Sequence, residues 1–554
     1  MPQLNPLTLK CTVLAIASMA STSMAQTAPD AGQTLQQLKQ QPPAPPKESR
    51  PLTIPSNASA EGVPAGGAQV TLRGIEIKGN TVISRERLDA VMADAIGKSY
   101  DLAGLRSLAD RLTSFYRDTG YPFARAYLPP QSLPDGTLRI ELVEGRYGAI
   151  QAQSSDAQLA AQAQKFLHPL RSGEVIQDKG LERTTLLLDD LPGIQTTPII
   201  RPGQQTGTGD LDIGVTLKQR FTGEVGLDNH GNRYSGYHRI RANLNWNSPF
   251  TLGDQISLRT LLSDHSLWLG SLGYSAPLGY SGLRGNVGYA RTDYELGREF
   301  KSLQANGAAE VLSTGISYPW VRSQPSNVTL SASYQHKTLK DNKDSTATRE
   351  SKSSDSVPLA LQFDHRDTLG GGGITYGGVT WTSGSLHLDN ALKSADISNT
   401  HGDFNKINVD LVRLQSLPHS LTLSARWSQQ IATKNLDSSE RFSLGGPNGV
   451  RAFPTGEGTG DEGWLAQIEL RYSMGSYNPY VFYDQGNIRA MTRPLASVTD
   501  NVRDLSGFGL GLRYERDNWN LDATLAWRDQ GGSPQSDPSR DASPQAWLNI
   551  GYRF

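Results

Sequence analysis

This chain is poor in cysteine, in net charge and in long apolar runs, and each shortage excludes a class of protein. Its single cysteine, Cys11, lies in what reads as a secretory signal peptide over residues 1–25. Lys10 supplies the positive charge, Val13 to Ala20 a short apolar core, and Ser23-Met24-Ala25 a small-residue cleavage site before Gln26. Cys11 lacks the Leu-x-Gly/Ala context of a lipidated cysteine. The mature chain is therefore expected to have no thiol, disulfide or cysteine metal site. The whole chain carries 53 Lys+Arg against 54 Asp+Glu. Removing Lys10 with the signal leaves 52 against 54, formally −2. That balance argues against a nucleic-acid partner, which selects a basic excess. No later window holds eighteen consecutive apolar residues, so a helical membrane span is excluded. If the chain crosses a membrane it must do so as a closed barrel, which satisfies every backbone hydrogen bond in lipid.

The end of the chain points that way. Ala546, Leu548, Ile550, Tyr552 and Phe554 alternate with Trp547, Asn549, Gly551 and Arg553, the period of a strand. A terminal aromatic suits the lipid-facing edge of a barrel. The alternative is the last strand of a soluble β-sandwich.

Four segments follow the signal. Residues 26–69 open with a short helix, capped by Asp30 and running to Gln41, then Pro42-Pro43-Ala44-Pro45-Pro46 and a Gly/Ser/Ala/Pro linker. Residues 70–147 read as β-α-α-β-β. A strand Val70–Ile77 is followed by a helix capped by Ser84 (Leu88, Val91, Met92). A second helix, capped by Asp101, carries Leu102, Leu105, Leu108, Leu112 and Phe115. Strands Phe123–Leu128 and Leu138–Val143 complete the unit. Residues 148–219 repeat that order more weakly: strand 149–153, helices 156–167 and 178–191, strands 196–201 and 210–217. A tandem supersecondary unit is unlikely to arise by accident, and exposed sheet edges suit capture of an extended peptide.

Residues 220–554 show no convincing helix. They hold sixteen alternating runs, starting near Arg220, His238, Gln255, Leu267, Leu283, Ser302, Asn327, Ser356, Ile374, Phe404, Leu421, Trp464, Pro479, Leu505, Asn518 and Ala546. That is about 21 residues per strand and connection, where a tilted spanning strand needs roughly 9–11. Every second turn is short (Ser248-Pro-Phe, Pro277-Leu-Gly, Ser416-Leu-Pro-His, Gly475-Ser-Tyr-Asn). The intervening connections include long polar ones, over 340–356, 387–402 and 529–545. Short turns on one side and long loops on the other mark an outer-membrane barrel.

Catalytic signatures are missing. No His-x-x-His or His-Glu-x-x-His pair, nucleophile elbow, phosphate loop or Rossmann glycine pattern occurs. No enzyme activity, metal or cofactor is expected, and Gly370–Gly373 reads as a turn. One stretch stands apart, the loop 432–463. Its centre, Arg441 to Gly463, contains Gly445-Gly446-Pro447-Asn448-Gly449-Val450-Arg451-Ala452-Phe453. Glycines permit tight reversal, while Val450 and Phe453 want burial, so the loop is expected to fold into the lumen. Arg451 then needs a carboxylate. Asp484, in the otherwise apolar and aromatic strand Phe482-Tyr483-Asp484-Gln485-Gly486, is the candidate.

On these residues the chain resembles the transporters of two-partner (type V) secretion, the haemolysin secretion/activation proteins, within the superfamily of outer-membrane insertases and translocators. The resemblance covers the whole mature chain. Its marks are the loop motif Val450-Arg451-Ala452-Phe453 with Gly446, and the strand motif Phe482, Asp484 and Gly486. Others are the C-terminal barrel signal Leu548, Ile550, Tyr552 and Phe554, and the stretch Gly120 to Gln131, typical of a first POTRA domain. It implies a mainly β fold: a sixteen-stranded antiparallel transmembrane barrel, two POTRA domains, and a plug helix with its linker. It implies that an unfolded exoprotein (adhesin, haemolysin or toxin) is the partner, bound through its N-terminal secretion domain at a POTRA edge near Phe123, Arg125 and Tyr127. Outer-membrane lipid and the barrel-assembly machinery are further implied partners. The location is the outer membrane of a Gram-negative bacterium, with the POTRA domains in the periplasm. The alternative is an insertase of other barrel proteins. Where the superfamily usually has Gly after Val-Arg, this chain has Ala452, which puts the loop's conformation in question.

Overall fold

The computed structural model describes residues 28–39, 45–46, 66–541 and 543–554. The expected signal peptide and most of the linker lie outside these residues.

The first small domain has a sheet ordered Gly74–Lys78, Thr137–Val143, Arg125–Tyr127. The strand expected over Val70–Ile77 is broken. Val70–Thr71 pairs with Ser99–Tyr100, and Gly74–Lys78 runs parallel to Thr137–Val143. Between them Leu72 turns into the core and is fully buried. Asp101 caps the helix Leu102–Asp118 by accepting the Gly104 N–H at 2.8 Å. Ser84 stands before the helix Arg85–Met92 but makes no cap hydrogen bond, against expectation. Leu88, Met92, Leu108, Leu112 and Tyr116 pack on Leu138 and Ile140, whereas Leu102, in the first turn, is exposed. Glu144 closes the domain's lower end. It accepts the N–H groups of Thr81 (2.6 Å) and Val82 (3.0 Å) and the Tyr116 hydroxyl (3.2 Å).

The second small domain repeats the order: Arg146–Gln153, helices Ala157–Phe166 and Asp178–Asp189, then Ile194–Pro202 and Thr208–Leu217. It sits on the short turns of the barrel. Asp190 pairs with Arg322 at 2.6 and 2.8 Å, and Arg183 donates to the Pro319 carbonyl at 2.7 Å. The Leu252 N–H donates to Gln162 at 2.7 Å.

Among the described residues, sixteen antiparallel strands, from Phe221–Asp228 to Gln545–Arg553, close a barrel. The last strand pairs with the first, from Asn549 opposite Asp228 to Arg553 opposite Glu224. Alternate residues such as Leu227, Ile240, Leu272, Leu312, Val481 and Leu510 face outward, the apolar band that lipid requires. At the turn end Phe221, Trp246, Phe250 and Tyr274 form a run of rings 5.8–6.3 Å apart. Leu548, Tyr552 and Phe554 are exposed on the same outer surface, Ile550 is half-buried, and Trp547 points into the lumen.

Two expectations are corrected. The eighth strand begins at Thr348 rather than near Ser356, so 340–356 is no loop. The seventh and eighth strands, Ser326–Lys343 and Thr348–Asp367, continue pairing up to Lys343 opposite Thr348. Beyond the bilayer both faces of a strand can be polar, so alternation vanishes while the backbone ladder persists. The barrel region also holds one short α-helix among the described residues, Asn390–Ala395, capped by Asp389 at 2.8 Å, and 3-10 turns such as Arg298–Leu303.

Candidate functional site

The loop between the eleventh strand (Leu421–Ala432) and the twelfth (Glu462–Tyr472) folds into the lumen and is almost wholly buried. Its base is a two-rung ladder, Phe442 opposite Gly460 and Ser443 opposite Thr459. Gly446 has φ 109°, and a Cβ at Gly449 would lie 1.7 Å from the Leu444 carbonyl oxygen. The reversal therefore needs glycine at both positions. Leu444, Val450 and Phe453, each fully buried, pack with Leu465, Phe482, Ile488 and Leu505 on the barrel wall.

This packing delivers Arg451 to Asp484. The Arg451 Nε and Nη2 donate to the two Asp484 carboxylate oxygens, both at 2.8 Å, and the Arg451 N–H adds a third bond at 3.0 Å. Such a planar fork on a carboxylate is geometry that lysine cannot reproduce. The guanidinium lies over the Phe482 ring, 3.4 Å from its centroid. Arg451 is 6% exposed and Asp484 0%.

The network is wider than the expected pair. Glu469, on the twelfth strand, accepts from Arg451 Nη1 at 2.8 Å, from Arg471 at 2.5 Å and from Arg513 at 2.6 Å. Arg513 reaches Asp522 at 2.9 Å. Three guanidiniums and three carboxylates thus balance within one cluster. Trp547, from the last strand, donates its indole N–H to the Arg451 carbonyl at 2.7 Å. The alternation Glu469-x-Arg471 at inward positions was the sequence signal for this extension.

A second missed feature is a bed of glycines on the fourteenth strand (Val502–Arg516). A Cβ at Gly507 would lie 2.4 Å from the Ala452 Cβ, one at Gly509 2.4 Å from Phe482, and one at Gly511 2.3 Å from Tyr480. The bare backbone lets the loop and the aromatic side chains of the strand beside it lie flat. It also answers the question posed by Ala452: its φ is not positive, and its methyl fits because position 507 has none. Gly486 is constrained likewise, since a Cβ there would lie 2.6 Å from Leu444.

The lumen also holds the helix Ala31–Lys39. Asp30 caps it through the Gln33 N–H at 2.8 Å and pairs with Lys352 on the eighth strand at 2.8 Å. The same Lys352 pairs with Asp437 of the inward loop at 2.6 Å, and Ser438 donates to Asp30 at 2.6 Å. Glu440 of that loop pairs with Lys406 at 2.9 Å and with Lys337. Gly32 lies so close to Ser438 and Ser439 that a Cβ would be 2.3 Å from the Ser438 hydroxyl. Helix and loop are thus pinned to the wall and to each other.

The four edges of the two three-stranded sheets each carry a side-chain hydrogen bond, and on the Ile194–Pro202 edge the Thr196 N–H donates to Asp189 at 2.9 Å. Arg85 donates to the Ile75 and Ile77 carbonyls at 2.8 and 3.1 Å. Thr113 accepts the Ala126 N–H at 2.9 Å. Gln164 accepts from Ala152 at 2.7 Å and donates to Ile150 at 3.0 Å. Of the residues expected at a cargo edge, Arg125 and Tyr127 are exposed on their three-residue strand. Phe123 instead packs against the core of the second domain.

A closed barrel with two POTRA domains on its turn side, and a loop and helix lodged in its lumen, defines an outer-membrane translocator. The family model for the haemolysin secretion/activation protein ShlB/FhaC/HecB matches residues 207–514, more than half the chain, and that of the ShlB-type POTRA domain matches 70–145. The chain belongs to the ShlB/FhaC/HecB family. It is 29% identical over 454 residues to the heme/hemopexin transporter protein HuxB of Haemophilus influenzae (strain 86-028NP), covering 79% of each chain. It is 25% identical over 473 residues to the outer membrane transporter CdiB of Escherichia coli, covering 80% of this chain and 75% of that one. Its fold is that of the solved structure of CdiB from Escherichia coli, with a TM-score of 0.75 at 22% identity, covering 96% of this chain and 100% of that one.

Proposed function

We propose that this protein recognises one unfolded exoprotein, an adhesin, haemolysin, haem-scavenging protein or toxin, in the periplasm and passes it through the barrel to the cell surface. The exoprotein's N-terminal secretion region adds as a strand to a POTRA edge. That edge is taken to be Ile194–Pro202 of the second domain, at nine residues the longest edge strand of the two three-stranded sheets. There Asp189 takes the Thr196 N–H at 2.9 Å, and Pro198 and Pro202 have none. Such an edge is rich in acceptors and calls for a guest strand that donates. The helix then leaves the lumen, while Arg451 and Asp484 hold the loop to the wall. No nucleotide is at hand in the periplasm, so folding outside supplies direction. Outer-membrane lipid surrounds the apolar band, and the barrel-assembly machinery reads the strand ending in Phe554.

The observation that carries this reading is the arrangement of the lumen: two self-derived plugs, each fastened by ion pairs, above a domain docked on the turns. The test is secretion of the N-terminal fragment of a large exported protein of this family's cargo type, co-expressed with this chain. The medium is assayed with wild-type transporter, with Arg451→Ala and without transporter. Fragment in the medium only with the wild type supports the reading. Fragment held in the periplasm in every case, with the barrel inserted, overturns it. Depletion of many outer-membrane proteins in a deletion strain would favour an insertase instead.

A further inference from the structure

The lumen helix rests on an apolar seat. Ala31, Leu35 and Leu38 pack on Leu261, Leu267, Leu269, Tyr294 and Leu339, which project inward from the third, fourth, fifth and seventh strands. Every one of these is under 10% exposed. Barrel lumens that conduct water are lined by polar residues, so a patch of leucines there asks for an occupant. Once the helix leaves, its surface would meet water, which is unfavourable. The seat is also equipped for main chain. Asp341, on the seventh strand, accepts the Ala31 backbone N–H at 2.8 Å. Two and four residues along the eighth strand from Lys352, the Ser354 and Ser356 hydroxyls, 0% and 2% exposed, have no hydrogen-bond partner among the described residues.

We propose that this seat is a transit site for the exoprotein, and that the helix is a placeholder for it. An apolar segment of the unfolded chain lays its side chains on Leu261, Leu267, Leu269 and Leu339. Its backbone N–H takes the Asp341 carboxylate, as the Ala31 N–H does now. Helix and exoprotein compete for one surface, so the arriving chain itself displaces the helix. The site reads backbone and bulk apolarity, which suits a polypeptide of varying sequence. The inference rests on the secretion reading above.

The test uses full-length transporter with Leu269→Ser and Leu339→Ser, singly. Both variants loosen the helix, so both should raise ion conductance in planar bilayers, which also shows that the barrel has assembled. Secretion of the same fragment should nevertheless fall by about tenfold, the order expected from losing one buried leucine contact. Secretion unchanged or raised, with raised conductance, would overturn the transit site while leaving the secretion reading intact. A wild type that secretes nothing would overturn both. A photo-crosslinking residue at Leu339 gives a second readout. It should capture the helix in resting protein, and the fragment when a folded domain fused to its C-terminus stalls it. Capture of the helix alone in both states would also overturn the proposal.

Discussion

Arg451 serves the loop with its side chain and with both of its backbone polar groups, so its loss cannot be repaired locally. Removing the guanidinium leaves Asp484 and Glu469 buried with less compensation, a change of about 3–5 kcal/mol for a buried pair. Arg451→Ala and Asp484→Ala should each cut secretion, and the double variant should be no worse than the worse single. Additive losses in released exoprotein would mean that the two act separately. Ala452 and Gly507 make a sharper test, since a Cβ at 507 lies 2.4 Å from the Ala452 methyl. Gly507→Ala should impair secretion and adding Ala452→Gly should restore part of it, since the Trp527 carbonyl oxygen, 2.7 Å from the new Cβ, stays in place; the readout is immunoblot of the medium. In the first POTRA domain, burial alone would raise the Glu144 pKa. Hydrogen bonds from Thr81, Val82 and Tyr116 outweigh this and hold it below the usual carboxylate range. The stability it confers is present above the ordinary glutamate pKa and lost as pH falls through the lowered folded value. Amide protection at Thr81 and Val82 should hold at about pH 6 and fall below about pH 4, and Glu144→Gln should abolish that dependence. At this scale the sequence told much. Arg451 and Asp484 were legible because a lone charge among apolar residues must find a partner. Glu469 and Arg513 were not picked out, because charges on a pore wall need no partner until the loop brings one; only the spacing Glu469-x-Arg471 hinted at them.

Elements were legible in proportion to their burial. The lipid-facing strands announced themselves by alternation, since one face must be apolar. The extension of the seventh and eighth strands over 340–356 did not, because outside lipid a ladder needs only backbone. The break at Leu72 was hidden for a related reason: apolar alternation runs through it, and only tertiary pairing divides the strand. The helix Ala31–Lys39 was legible from Asp30, while its role as a plug came only through the resemblance, since nothing local points to Lys352. Deleting residues 31–39 should raise ion conductance in planar bilayers severalfold without altering barrel assembly. Asp30→Asn weakens the Lys352 pair and should give an intermediate rise, a charged hydrogen bond being worth about 1.5–3 kcal/mol. Equal conductance in all three would place the helix outside the ion path.

The whole molecule divides labour between capture and passage. Deleting residues 70–219 should leave a barrel that inserts and conducts yet secretes nothing, measured as periplasmic accumulation of the exoprotein. A passive channel would keep its activity after the same deletion.

The capped sheet edges carry a further consequence. Before it reaches the membrane this protein is itself a long, unfolded, strand-prone polypeptide adrift in the periplasm, close in kind to the freight it later handles. Sixteen barrel strands linked to two open sheets would offer each molecule, and its neighbours, a standing chance of pairing wrongly. Arg85, Thr113 and Gln164 remove that chance at three edges by keeping hydrogen-bonding groups occupied. Asp189 and two prolines thin the fourth. Seen so, these side chains are a means of telling self from client, set by which atoms are left unclaimed.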